Sequence, residues 1–174
     1  MTQKWPPAEG ARFNAARGRE CKVALGVVSL DAVDEDGAVL TVNVLLDEGS
    51  DTTLIREDVA KKLKLTGAPR TLDVDAVGGL SSSVTSRKVR VKLRSVTGDS
   101  IFVEASTMPM VTKPVPVVDW SQLQSRWRHL ADLPLQRSGG QIDILLGLDY
   151  AHLMAVMEAR SGGDDEPIAR DRRV

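Results

Sequence analysis

Between Val39 and Leu46 the side chains alternate, with Leu40, Val42, Val44 and Leu46 on one face and Thr41 and Asn43 on the other, and the run stops at Asp47-Glu48-Gly49-Ser50. A period of two over this length fits only a strand with one buried face, and a slip of one residue would turn the whole apolar set to solvent. The chain must therefore supply a sheet to cover that face. It does so on both sides. Val23 to Leu30 reads as a preceding strand joined by the Asp34-Glu35-Asp36-Gly37 turn, and Thr53-Leu54-Ile55 as a short apolar strand after the Asp-Glu-Gly-Ser turn.

Further along, Leu72, Val74 and Ala76 alternate into Gly78-Gly79 and Ser81-Ser82-Ser83, which predicts a flexible hairpin over about residues 74–86. Val89, Val91 and Leu93 then alternate with Lys88, Arg90, Lys92 and Arg94. Such a row is expected as the solvated face of an antiparallel sheet rather than a nucleic-acid stripe, because no aromatic residues interleave with the charges. Ile101 to Ala105 and Ile142 to Leu146 complete about seven short strands. Helical patterns are confined to three places: Arg56 to Leu65, ended by Gly67 and Pro69; an inserted segment within 112–140, where Asp119 is expected as N-cap and Trp120, Leu123, Trp127 and Leu130 line one face; and Leu148 to Glu158. The balance predicts a mainly β domain over residues 21–160, with 1–20 as an N-terminal tail or linker and 161–174 as a C-terminal tail.

Composition narrows the chemistry. At 174 residues the chain fits one domain with tails, and a formal charge of −1 gives no global field towards nucleic acid or anionic membrane. Aromatics make up only 3%, so the core has to be filled by Val, Leu, Ile and Ala. With one cysteine, Cys21, and two histidines, His129 and His152, there is no zinc-ligand spacing and no internal disulfide, and a reducing compartment, the cytoplasm, is expected. Cys21, beside a valine-rich strand, reads as a small core residue rather than a nucleophile. Trp120 and Trp127 read as packing, Ser81 to Ser83 as a flexible hairpin tip, and Asp149 as a helix cap rather than a second catalytic acid.

The pattern that carries chemistry is an apolar strand ending in Asp47-x-Gly49, then a short apolar strand, a glycine-bearing hairpin, and later Ile144-Leu145-Leu146-Gly147. An Asp-x-Gly is often only a turn, but its flanks here present a carboxylate at a strand end where glycine permits close backbone approach. One carboxylate is a weak catalyst, whereas two sharing a proton can act as general base and general acid. No second Asp-x-Gly occurs in the chain. The partner must come from a second copy, which a two-fold axis between two Asp47 side chains would provide.

Leu45 to Ile55, together with Ile142 to Tyr150, resembles the aspartic peptidase domain of Pao/BEL-type retrotransposon polyproteins, over about residues 20–168. The resemblance implies a retropepsin-like closed β barrel with a flap hairpin, an inserted helix and a C-terminal helix. It implies that Asp47 is catalytic, that Glu48, Gly49 and Ser50 form the active-site loop, that Val77-Gly78-Gly79-Leu80 form the flap, and that Ile144, Leu145, Leu146 and Gly147 are the structural strand after it. The implied activity is a homodimeric aspartic-type endopeptidase acting on peptide or polyprotein substrate, with no metal or organic cofactor and with neither nucleic acid nor membrane as partner. The chain departs from retropepsins at Glu48, where they usually carry Thr or Ser whose hydroxyl ties the two active-site loops together. A carboxylate there would oppose ionisation of its neighbours unless it points outward or meets an arginine. The alternative expectation is a catalytically inactive retropepsin-fold module for peptide binding or assembly.

Overall fold

The computed structural model describes residues 24–76, 79–95, 98–135 and 137–174. The strands β1 (Val27–Val33), β2 (Val39–Leu46), β3 (Leu54–Arg56), β4 (Gly67–Ala76), β5 (Leu80–Arg94), β6 (Ser100–Met108) and β9 (Ile144–Leu146) form a seven-stranded sheet in the order β1-β2-β9-β3-β6-β5-β4. The pairing of β1 with β5, Asp31 opposite Arg94 and Val33 opposite Lys92, closes β1, β2, β9, β3, β6 and β5 into a ring and leaves β4 outside it. The expected closed, mainly β architecture is present. Inside the ring lie Leu30, Ala32, Val42, Val44, Ile55, Val89, Val91, Leu93, Val103, Ile144 and Leu146, all buried.

The alternation seen in the sequence translates directly into this packing. Val42 and Val44 are buried while Asn43 between them faces out, donating its backbone N–H to the Asp143 carboxylate at 2.9 Å. The predicted turn at 34–37 exists too. Gly37 has φ +85°, and Asp34 closes the hairpin by accepting the Ala38 N–H at 2.7 Å.

The β4–β5 hairpin is longer than the sequence suggests, with pairs from Gly67 opposite Val89 to Ala76 opposite Leu80. Gly67 and Pro69, expected only to end a helix, open β4 instead. A Cβ on Gly67 would lie 1.9 Å from the Lys88 carbonyl oxygen, and proline is tolerated because β4 is an edge strand. Helix α1 accordingly covers only Glu57–Lys62, ending in Lys64 at φ +54°.

Two further helical expectations are corrected. In the inserted segment, β7 (Val115–Asp119) pairs with β8 (Arg137–Gly140), and α2 spans only Trp120–Leu123 before a 3-10 turn at Gln124–Arg126 and an extended Trp127. Asp119 caps no backbone group; its carboxylate accepts from the Ser121 hydroxyl and the Gln122 amide. Trp120 and Trp127 still meet, with ring centroids 6.4 Å apart, and Leu130 is buried. After Gly147 the chain makes a 3-10 turn, Leu148–Leu153, broken at Tyr150, and then enters β10 (Val156–Arg160) rather than a helix to Glu158. The stretch 161–174, expected as a polar tail, carries β11 (Ala169–Arg172) antiparallel to β10 and ends with Val174 buried against the core. Local charge and glycine content hid a strand that is held by tertiary contacts. Cys21 and residues 1–20 lie outside the described residues.

Candidate active site

At the end of β2 the Asp47 N–H donates to the Leu146 carbonyl at 3.0 Å, which continues the parallel β2–β9 ladder by one residue. The chain then folds back on itself. The Gly49 N–H donates to Asp47 Oδ1 at 2.9 Å, and the Ser50 N–H to the Asp47 carbonyl at 3.3 Å. An Asx turn of this kind is what Asp followed by glycine favours, and here it fixes one oxygen of a half-buried carboxylate. Ser50 continues the lacing, since its hydroxyl donates to the Thr52 carbonyl at 2.8 Å and its own carbonyl accepts the Leu148 N–H at 2.8 Å.

The loop is clamped from behind by Thr53 and Asp149, in roles that sequence reasoning did not assign to them. Thr53 is fully buried, and its hydroxyl donates to Asp149 Oδ1 at 2.6 Å while accepting the Gly147 N–H at 3.0 Å. Its backbone N–H donates to Asp149 Oδ2 at 3.0 Å. Asp149, expected as a helix cap, therefore ties two loops together, and this pull, with Tyr150 Oη accepting the Glu104 N–H at 2.6 Å, takes the chain off a helical path. Gly147 is required sterically, because a Cβ would approach the Thr52 backbone to 2.8 Å. The signal present in the sequence is a hydroxyl residue opening an apolar strand and an Asp two positions after an apolar-apolar-Gly run.

The structure thus brings Asp47, Glu48, Gly49 and Ser50 together with Ile144, Leu145, Leu146 and Gly147, whose strand is buried throughout. Val77, Gly78, Gly79 and Leu80 are the residues expected to form the flap. Val77 and Gly78 lie outside the described residues, Gly79 has φ +74°, and Leu80 opens β5. Ser81 and Ser83, expected at the tip, sit within β5, and their hydroxyls donate across the hairpin to Asp75 and Asp73.

Glu48 does not stand alone beside Asp47. Both terminal nitrogens of Arg172 lie 3.1 Å from Glu48 Oε1, and one of them also donates to the Met154 carbonyl at 2.6 Å. An open groove of about 370 Å³ adjoins the loop, lined by Asp51, Thr52, Arg70, Lys88, Glu104 and Tyr150 among others. Of the basic row on β5, Lys88 pairs with Glu104, Arg90 stacks 4.3 Å over the Phe102 ring, and Arg94 lies 3.8 Å from Asp31. Among the described residues no group of three His, Cys, Asp or Glu could hold a metal ion, and no helix is long and apolar enough to cross a membrane.

A closed ring of strands that carries a carboxylate on an Asp-x-Gly turn, laced to a buried apolar-apolar-Gly strand, defines an acid protease fold. A family model described as aspartyl protease matches residues 28–150, and the chain belongs to that family. It is a β-rich hydrolase of the aspartyl protease class. No curated protein and no solved structure matches the chain.

Proposed function

We propose that the chain is a retropepsin-like aspartic endopeptidase that works as a homodimer, with Asp47 of each copy sharing one proton and activating the water that attacks the peptide carbonyl. The observation that carries this reading is the half-buried Asp47 carboxylate, fixed by the Gly49 N–H on a turn clamped by Thr53 and Asp149. Asp149 is committed to the Thr53 N–H and hydroxyl, so in this reading the Asp-x-Gly turn supplies one reactive acid and a second copy supplies the other. Substrate would lie extended below the β4–β5 hairpin, pairing by main-chain hydrogen bonds and filling the groove beside Thr52. Processing of a retroelement polyprotein is the setting suggested by the resemblance to Pao/BEL-type domains, and the lone cysteine suits the cytoplasm. No metal or organic cofactor enters the mechanism.

Asp47→Asn tests the assignment. Pepstatin-sensitive cleavage of a peptide library at mildly acidic pH should be abolished in the variant, with an unchanged circular dichroism spectrum. Equal cleavage by the variant would remove Asp47 from the chemistry. A folded wild type that binds extended peptides without turnover would favour the inactive binding module instead.

A further inference from the structure

We propose that Arg172 is a positioning residue for the active-site loop, which it holds through its paired hydrogen bonds to Glu48. The proposal rests on the peptidase reading for its catalytic consequence, but its structural core does not. Glu48 sits between the carboxylate and the glycine of the Asp-x-Gly turn, so whatever holds Glu48 restrains the peptide units on both sides of it. One is the unit whose Gly49 N–H fixes Asp47 Oδ1.

Arg172 is well suited to hold it. Its side chain is only 14% exposed against 63% for Glu48, so the two ends of the pair are unequal. A guanidinium removed from water to that degree needs acceptors, and it has two: Glu48 Oε1 and the carbonyl of the buried Met154. Its backbone is fixed as well. Arg172 pairs with Val156 in the β10–β11 hairpin, and two residues on, Val174 is buried in the main core. The far end of the same hairpin is held at the inserted segment, where His129 Nε2 lies 2.7 Å from the Pro167 carbonyl and Arg160 bonds Asp132 at 2.7 Å. An exposed ion pair between two mobile side chains contributes little, because ordering both offsets the attraction. Here the arginine is already ordered by its surroundings, and Glu48 docks on a fixed point. The charge that would otherwise stand uncompensated next to Asp47 is thereby matched and drawn towards the C-terminal strand.

The test uses the full chain as wild type, R172Q, R172K, E48Q and the exchanged pair E48R/R172E. Amide hydrogen exchange reads the tether without any substrate: in R172Q the Gly49 and Ser50 amides should exchange about tenfold faster, while those of β2 and β9 keep their protection. R172K should recover part of the protection, E48Q should lose about as much as R172Q, and E48R/R172E should recover protection relative to both. With peptide substrate, R172Q should lower kcat about tenfold with KM little changed, since the substrate-binding strands are untouched. Unchanged exchange at Gly49 and Ser50 in R172Q overturns the proposal, as does a uniform loss of protection across β2 and β9, which would mark a general structural role. Faster exchange at the loop in a protein that cleaves no peptide would leave the tether standing and sink the peptidase reading.

Discussion

The clamp behind Asp47 is concentrated in one hydroxyl. Thr53 Oγ1 is buried and satisfies both an acid and an amide, so its removal leaves the buried Gly147 N–H without its partner and takes one of two bonds from Asp149. Thr53→Val, which keeps the shape and deletes the hydroxyl, should lower the stability by about 1–3 kcal/mol, read as a shifted urea midpoint at constant slope. Thr53→Ser should recover most of it. A valine variant as stable as wild type would mean that these groups find other partners. At this scale the sequence was informative in an uneven way. Asp47 and Gly49 were legible because a strand pattern runs straight into them, and Gly147 because it ends an apolar run. Thr53, Asp149 and Arg172 were not, since a hydrogen bond spanning 96 positions or an ion pair spanning 124 leaves no local period to read.

Among the elements, the strands of the ring were predictable, those of the β7–β8 and β10–β11 pairs were not, and the helices were overestimated. A strand inside the ring needs its alternation to bury one face, so the pattern of Val89, Val91 and Leu93 could mean little else. Helical spacing is weaker evidence in a short segment, where side-chain ties compete with the backbone ladder, as Asp119, Asp149 and Tyr150 show. Helix α1, present but shorter than its pattern, carries a pH signature. The Arg56 guanidinium, which hydrogen-bonds Asp58 in the first turn, holds the Asp58 carboxyl down to about 2 from an ordinary 3.8. A carboxyl lowered on folding stabilises the protein above about pH 3.8, and that contribution fades as the pH falls through about 2. Because Asp58 is half exposed, the effect is under about 1 kcal/mol. Asp58→Asn should therefore melt slightly below wild type at neutral pH, and the two melting curves should converge near pH 2. A gap that persists in acid would assign the loss to something other than the ion pair.

For the whole molecule, the proposed dimer needs a surface that brings a second Asp47 to the first. Leu148 donates its N–H to the Ser50 carbonyl in the active-site loop yet remains 47% exposed, and Val156, opposite Arg172, is 46% exposed. Apolar side chains so close to the loop fit an interface between two copies. Leu148→Glu should convert a sedimenting dimer to monomer and reduce cleavage most at low enzyme concentration, with the circular dichroism spectrum unchanged; a variant still dimeric at the wild-type affinity would place the axis elsewhere. The ring has another consequence, in time rather than in space. β9 lies between β2 and β3 in the sheet, although both precede it in the chain by a long interval. A nascent chain emerging from the ribosome thus holds β2 and β3 with an empty seat between them until Ile144 to Leu146 have been made. Such distant pairing slows folding, so the barrel closes late, and each newly made chain has an interval in which its active-site loop is synthesised but not yet built.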